Sequence, residues 1–322
     1  MTQSFISAAL TCVAIFTTSS AVAQGTGGGT IYYQGTGGMF AMNSSGGNVI
    51  ALPAGVVGDP SRDLHGGARW FLFSGYIPGE SYPDGSDRYE LFAMRGDGSV
   101  TVQLTTQADL QVSQIGSAGW MPGDRVSFVG RRWLGGVVVE GGIYTVDVAY
   151  DGGGNITGLV AQAGGPAIST ALVVDASGHL RPNMNFHDWS PDGQRVVYND
   201  ATNHELWVAT LTNAHTRVFA GYWANTPVWS PANTKIAFMS GNGGISSISP
   251  DGTGLKEIIK RTPLYSFGNP HWSPSGSHLT YLGLRTSGGP QYDVFRSSAT
   301  GSGKSNMTNT NYPVSEYPIS WR

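Results

Sequence analysis

One short sequence phrase recurs along the chain, and this repetition constrains the fold more than any other feature. It consists of Trp-Ser-Pro and, a few residues later, a short apolar stretch that ends in an aromatic residue. In two copies a turn residue and Gly directly follow the Pro. The clear copies occupy residues 189–198, 229–238 and 272–281, and weaker copies occupy 120–128 and 65–73. Self-similarity of this kind is the signature of a repeat architecture, so the chain is expected to consist of equivalent units.

A second phrase follows each copy of the first and allows the units to be counted. It is a short apolar stretch with an aromatic residue near its start, weakened to Ser in one copy. The marker positions are Phe40, Phe92, Tyr144, Trp207, Ser246 and Phe295. Their mean spacing is about 51 residues, close to the length of one four-stranded blade. The sequence therefore predicts six units.

Each unit is expected to form four antiparallel strands joined by tight turns. In Ser-Pro-Asp-Gly, Pro presets φ, Asp bonds its own backbone and Gly accepts a positive φ, so the phrase suits a hairpin turn. After the second phrase comes a further turn, such as Asp97-Gly98 or Asp151-Gly152, and then another apolar strand. A lone four-stranded unit cannot bury both of its faces, so the units must pack side by side. The chain is therefore predicted to be an all-β protein, a six-bladed β-propeller.

The two ends of the repeat array are complementary. The first unit begins at about Thr30 and has three strands, with no innermost strand before it. The last residues, 316–322, have the character of an innermost strand with nothing after it. We expect this C-terminal strand to pair with blade one and close the ring, which removes exposed edges. Residues 24–322 are thus predicted to form one domain.

Composition supports this fold and excludes some classes of protein. Charged residues make up 12% of the chain, about half the usual share, and the 47 Gly suit many tight turns. The net charge is −3 with no basic run, so binding to nucleic acid is not expected. The 40% of hydrophobic residues provide ample material for a core.

The N-terminus indicates export. Residues 5–16 are mostly apolar, and Ala21-Val22-Ala23 follows them, as in a secretory signal cleaved after Ala23. The apolar run is too short to span a bilayer. Residues 1–23 are therefore predicted to be a signal peptide, and the mature protein to be periplasmic or secreted. The only cysteine, Cys12, lies within this segment, so no thiol, disulfide or zinc–thiolate site is expected in the mature chain.

The repeat resembles the PD40 repeat of TolB-type β-propellers, most closely in residues 189–281. This resemblance implies a six-bladed periplasmic or secreted propeller that binds other proteins. TolB itself carries an α/β domain before its propeller, whereas the first blade here begins at about Thr30, so the resemblance is to the propeller alone. Similar repeats also occur in peptidases and in oligogalacturonate lyases, and the lyases carry His near the repeated phrase.

Polar residues cluster where the innermost strand of each predicted blade is expected to begin. They are Arg62 and Asp63 in blade two, His187 and Asp188 in blade four, Asn225 in blade five, Asn269 and His271 in blade six, and Glu316 in blade one. Such strand starts converge on one mouth of the central channel. Two long polar loops, 74–88 and 131–142, are expected on the same face and carry Arg132 and Trp133. His204 comes from the corresponding loop of blade four. Aromatic and Arg-bearing loops on a rigid scaffold are common at recognition surfaces.

Three interpretations of this cluster remain open. The polar residues could bond neighbouring strands, they could recognise a protein or glycan, or His187, Asp188 and His271 could support metal or acid–base chemistry. No Gly-x-Ser-x-Gly motif is present, and His204-Glu205 lacks the second His of a zinc protease. We therefore predict a non-enzymatic, monomeric protein-binding scaffold without metal or cofactor. The alternative is a carbohydrate lyase or hydrolase, or a glycan-binding module.

Overall fold

Strand pairing in a computed structural model confirms the predicted six blades. The structure describes residues 29–321, apart from 57, 62–66, 82–86, 107–111, 124, 135–136, 163–164, 167–168, 173–183, 201–202, 213, 222, 287–290 and 310–315. The predicted signal peptide, residues 1–23, lies outside the described residues, as do Arg62 and Asp63.

Each blade is a four-stranded antiparallel sheet, and strands are numbered along the chain. Blade one contains β28 (Tyr317–Trp321), β1 (Thr30–Gly35), β2 (Gly38–Asn43) and β3 (Ile50–Ala51). Blade two contains β4 (Asp59–Pro60), β5 (Trp70–Ser81), β6 (Asp87–Arg95) and β7 (Thr101–Gln103). Blade three contains β8 (Val112–Trp120), β9 (Val126–Leu134), β10 (Val137–Val146) and β15 (Ser169–Leu172).

The second half of the ring has the same order. Blade four contains β16 (Met184–Trp189), β17 (Arg195–Asp200), β18 (Glu205–Thr210) and β19 (His215–Phe219). Blade five contains β20 (Asn225–Trp229), β21 (Ile236–Ser240), β22 (Gly244–Ile248) and β23 (Lys256–Ile259). Blade six contains β24 (Tyr265–Trp272), β25 (His278–Arg285), β26 (Gln291–Ser298) and β27 (Ser305–Asn306).

The C-terminal strand closes the ring as predicted. β28 pairs with β1 in antiparallel register, with Tyr32 opposite Ser320 and Tyr33 opposite Pro318. It thereby supplies the innermost strand that blade one lacks in sequence order. Since pairing removes the free edge of β1, the first and last segments of the repeat array depend on each other.

Blade three departs from the expected strand order. The strand after the Asp151-Gly152 turn, β12 (Ile156–Leu159), pairs with β11 (Val148–Tyr150) in a separate hairpin, and β15 takes the outer position. A second small hairpin joins β13 (Ala161–Gln162) to β14 (Gly165–Pro166). The first hairpin bonds to blade two, since Trp70 Nε1 donates to Gly154 O at 3.2 Å. The strand that was predicted to be the outer strand of blade three therefore forms a separate hairpin that contacts blade two.

The hydrophobic core lies between the blades. In the described part of the chain, six buried clusters each combine side chains of two neighbouring blades. One example joins Leu206 of blade four to Trp229 and Phe238 of blade five. Both faces of each blade are packed in this way, so the sheet faces leave little room for charged side chains, which fits their low number.

A β-bulge recurs in the innermost strands. One extra residue interrupts the register of β16, β20, β24 and β28 against the second strand of their blades, and β8 has two such interruptions. A bulge changes which side chains point to each face of the sheet. The repeated bulge therefore decides the direction of the polar side chains that follow it.

Among the described residues, no helix has the length and hydropathy needed to cross a membrane.

Candidate functional site

The face on which the innermost strands begin is called the upper face here. It also carries the turn between the second and third strands of each blade and the connections between blades. The opposite, lower face carries the turns between first and second and between third and fourth strands. This geometry follows from antiparallel pairing of four strands in order.

Arg62 and Asp63, predicted at the channel mouth of blade two, lie outside the described residues. The first strand of blade two is β4, which ends at Pro60, and Ser61 N donates to Trp70 O at 2.6 Å. The placement of Arg62 and Asp63 at the channel mouth therefore stays a prediction.

His187, Asp188 and His271 lie past the bulge, in the second half of their strands. His187 Nε2 is 2.7 Å from Ser127 Oγ of blade three. Its Nδ1 is enclosed and has no hydrogen-bond partner within the described structure. Burial lowers the pKa of His187 to about 4, so the imidazole is neutral at pH 7. This side chain joins two blades.

Asp188 makes the complementary contact on the other side of blade four. Its Oδ2 accepts a hydrogen bond from Trp229 N of blade five at 2.7 Å. Asp59 holds the equivalent place in blade two, with Oδ2 3.5 Å from Trp120 N of blade three. The repeated contact shows that this carboxylate satisfies a backbone N–H at the junction with the next blade.

His187 and His271 point in opposite directions. Counted back from the Trp at the end of each strand, His271 corresponds to Asp188, and His187 is one residue earlier. Successive strand residues alternate between faces, so His187 is directed towards the preceding blade and His271 towards the following one. Among the described side chains, no group of three or more His, Cys, Asp or Glu is arranged to hold a metal.

Asn225 and Asn269 belong to the bulged segments. Asn225 Oδ1 accepts hydrogen bonds from Asn199 Nδ2 of blade four at 3.2 Å and from Thr226 N at 3.0 Å. Thr226 and Asn269, each directly before a proline, have φ values of 44° and 47°. A positive φ is rare for a β-branched residue such as Thr, so the bulge is held by its surroundings against local preference.

Glu316 precedes the closing strand and is buried, with its backbone N donating to Tyr292 O at 2.9 Å. Burial, together with the charge of Glu316, raises the pKa of Tyr33 to about 12. Glu316 thus lies at the junction of blades six and one. Like His187, Asp188 and Asn225, it contributes to a contact between blades.

The predicted long loops of blades two and three are mostly extended strands. β5 runs to Ser81 and changes from buried to exposed in its second half, so the β5–β6 hairpin projects beyond the body of blade two. β9 continues through Arg132 and Trp133, which pair in register with Glu140 and Val138 of β10. The side chains of Arg132 and Trp133 are outside the described part.

A buried ion pair anchors the base of the β5–β6 hairpin. The Glu90 side chain is fully buried; its Oε1 lies 2.8 Å from Arg88 Nε and its Oε2 accepts a 2.6 Å hydrogen bond from Thr105. The Arg88 side chain is only 16% exposed and also contacts Glu80. Since both charges are partnered in a site with little solvent, the hairpin is fixed to the blade.

His204 does lie on the upper face, where it stacks on a residue that sequence reasoning missed. Its ring is 4.2 Å from that of Trp223, with 12° between the planes. Trp223 is 56% exposed, and His204, which directly precedes β18, is partly buried. Both have a positive φ, and Ala224 N donates to His204 O at 3.1 Å. The pair is therefore a preformed aromatic platform.

The exposed aromatic residues share one side of the molecule. In the described part of the chain, four large aromatic side chains are strongly exposed: Tyr76, Tyr89, Phe186 and Trp223. Tyr76 and Tyr89 are cross-strand neighbours on the projecting hairpin, with ring centroids 5.7 Å apart. Phe186 lies in the first half of β16. The sequence did contain a sign that Trp223 is unusual. This Trp lies outside both repeated phrases, so the repeat does not account for it.

No protein-family model matches the chain, and no curated protein matches its sequence. Solved structures do. A protein assigned as TolB of Agrobacterium tumefaciens aligns over 92% of this chain and 99% of its own, at 15% identity and TM-score 0.52. TolB of Acinetobacter baumannii aligns over 91% and 67%, at 13% identity and TM-score 0.56.

The chain has the propeller fold of the TolB proteins. Hydrazine synthase of Kuenenia stuttgartiensis shares this fold as well, over 92% of this chain and 47% of that one, at 11% identity and TM-score 0.55. Since an enzyme and the TolB proteins are similar to this chain in the same way, the similarity establishes the fold, and function must be argued from the site.

Proposed function

We propose that this chain is an exported, non-enzymatic scaffold that binds another protein through its upper face. The observation that carries the proposal is the Trp223–His204 platform. Trp and Tyr are enriched among the residues that dominate binding energy, and Trp223 is exposed while its backbone and ring are already held in place. A rigid, uncovered aromatic side chain loses little freedom when a partner covers it.

The rest of the upper face fits the same role. Tyr76 and Tyr89 project on a hairpin whose base is anchored by the Glu90–Arg88 pair. Four exposed aromatic side chains on one side of a six-bladed ring form a set of anchors around the channel. Export as a periplasmic or secreted monomer rests on the signal-like sequence of residues 1–23.

An enzymatic role is less well supported by the geometry. Acid–base chemistry at the channel mouth would require His187, Asp188 and His271 to converge. His187 and Asp188 instead bond to blades three and five, and His271 occupies the position equivalent to Asp188. These contacts account for the residues without a substrate.

Crosslinking from the upper face tests the proposal. A photo-reactive residue placed at Trp223 in the full-length protein is expected to crosslink to one partner protein in envelope extract. Trp223→Ala should weaken the purified complex about tenfold or more, as expected for an aromatic anchor. Leu211→Ala removes a similarly exposed side chain on the lower face and should leave affinity unchanged.

Two outcomes would contradict this function. Recovery of polysaccharide and no protein would favour a glycan-binding module. Equal loss of affinity in Trp223→Ala and Leu211→Ala would show that the upper face is not the binding surface. The mass of the exported protein tests the signal in the same experiment, since cleavage after Ala23 leaves Gln24 as the first residue.

A further inference from the structure

The junction between blades five and six contains a cavity that the preceding junction does not leave open. Between blades four and five, the guanidinium of Arg195 stacks 4.7 Å from the ring centroid of Trp229 and donates to Asn233 Oδ1 at 3.0 Å. Asn233 also bonds Asp192 of blade four. Three polar side chains therefore fill the space above this Trp on the lower face.

The equivalent residues one blade further are smaller. Counted from Ser-Pro in each repeat, Lys235 replaces Arg195, Ala232 replaces Asp192 and Gly276 replaces Asn233. Lys235 Nζ donates to Ser249 Oγ of its own blade at 3.0 Å. The space next to Trp272 is left as a cavity of about 290 Å³. The two junctions can be compared directly: the space beside the Trp is filled between blades four and five and open between blades five and six.

The polar groups in the lining of this cavity are ammonium and hydroxyl groups, set among apolar surface. The lining contains no Asp or Glu. Its ammonium groups belong to Lys235 and Lys256, its hydroxyls include those of Ser247, Ser275 and Thr300, and Trp272 provides an aromatic ring. The nearby Asp251 carboxylate is outside the lining; its pKa is lowered mainly by hydrogen bonding with Thr253 and to a smaller extent by the charge of Lys235. The Lys256 ammonium makes no hydrogen bond or ion pair with the described residues, so its charge is available to a ligand.

We propose that this cavity binds a monosaccharide that carries a carboxylate or phosphate group. The lysines would pair with the anionic group, the Ser and Thr hydroxyls would bond sugar hydroxyls, and the half-buried indole of Trp272 would cover an apolar ring face. The volume lies at the lower end of the range of small-ligand pockets, which suits one sugar unit rather than an oligomer. The site is on the lower face and does not depend on the protein-binding role of the upper face.

Calorimetric titration of the purified full chain tests this site with defined probes. Glucuronate and glucose 6-phosphate represent the two anionic groups, and glucose and inorganic phosphate each supply half of the proposed chemistry. At least one anionic sugar should bind about tenfold more tightly than both glucose and phosphate. Equal binding of inorganic phosphate and both sugars, or no saturable binding by either sugar up to about 10 mM, would overturn the proposal.

Variants locate the binding in the cavity. Lys256→Ala should weaken binding of the anionic sugar about tenfold, whereas Lys260→Ala, an equal change of charge just beyond β23, should not. Equal weakening by both would show a general charge effect and overturn the assignment.

A filled cavity is the second test. The triple variant A232D/K235R/G276N reproduces the residues of the preceding junction, and Asn233 there has φ 61° against 70° for Gly276, so the backbone accepts the change. It should keep the melting temperature and lose sugar binding. Unchanged binding in a folded triple variant would place the ligand elsewhere.

Discussion

His187 illustrates how a residue that resembles a catalytic group serves a structural purpose. It is a buried, neutral imidazole whose Nε2 bonds to Ser127 across a blade junction. The sequence showed a His next to an Asp near a repeated motif, and this pattern fits acid–base chemistry or metal binding equally well. The direction of the side chain, which the sequence does not contain, separates these interpretations from a contact between blades.

The titration of His187 predicts a specific pH dependence of stability. Its pKa is about 4 in the folded protein and about 6.5 when unfolded, so the unfolded state binds a proton first as the pH falls. The free energy of unfolding should therefore be unaffected above pH 6.5 and decrease between about pH 6.5 and 4, by at most about 3 kcal/mol. Carboxylates with lowered pKa values, such as Asp192, reduce the free energy of unfolding further as the pH falls below about 5.

Urea unfolding at several pH values measures this effect. His187→Gln should remove most of the decrease between pH 6.5 and 4, and the more exposed His278, whose pKa is also lowered by desolvation, accounts for a remainder. Ser127→Ala is the matched control: it deletes the hydrogen bond but leaves the ring buried, so the decrease should remain. If His187→Gln unfolds with the same pH dependence as the natural protein, burial of this imidazole is not its cause.

Among the elements, the hairpins of blades two and three differ most from the sequence expectation. Residues 74–88 were expected to be a polar loop, because they carry Gly, Pro, Ser and Asp. In the structure most of them extend β5 and β6, with Tyr76 opposite Tyr89. Pairing between two strands can outweigh weak local propensity, which is why single-sequence reasoning misses such extensions.

The Glu90–Arg88 pair is expected to stabilise the base of this hairpin. Arg88→Ala leaves a fully buried carboxylate with the Thr105 hydroxyl as its remaining partner among the described residues, and should cost about 3 kcal/mol in the free energy of unfolding. In the Glu90→Gln background the same change should cost much less, because no buried charge is left unpaired. Chemical denaturation of the single and double variants measures the difference.

Arg217→Ala provides the control for this cycle. Arg217 pairs with Glu205 at 3.0 Å but is 53% exposed, so its loss should cost no more than about 1 kcal/mol. An equal cost for Arg88→Ala in the natural and Glu90→Gln backgrounds would mean that the buried ion pair does not support the hairpin.

For the whole molecule, closure of the ring links the first strand in the sequence, β1, to the last, β28. β28 is the innermost strand of blade one and covers the edge of β1, whose residues Ile31 and Tyr33 are buried. Six inter-blade clusters form a closed series in the described residues, with the last between blades six and one. Loss of the closing strand should therefore affect both neighbouring junctions.

Truncation tests this dependence. Deleting residues 317–322 should lower the melting temperature or cause aggregation, because the edge of β1 becomes exposed. Deleting Arg322 alone is the control and should have little effect. A synthetic peptide of residues 316–322, added in excess, should restore stability, whereas a scrambled peptide should not. A truncated protein that remains monomeric and equally stable would contradict closure by this strand.

The sequence by itself determined the all-β class, the six blades, the strand order within most of them and the closing role of residues 316–322. These properties follow from spacing along the chain, since turn residues and apolar stretches report local structure. The tertiary structure decided which polar residues meet. A repeated bulge reverses the facing of side chains in the innermost strands, and neighbouring blades then engage His187 and Asp188 while leaving Trp223 exposed. The direction of a side chain, the groups it contacts and its exposure to solvent depend on residues far apart in sequence, so local sequence patterns could not reveal them.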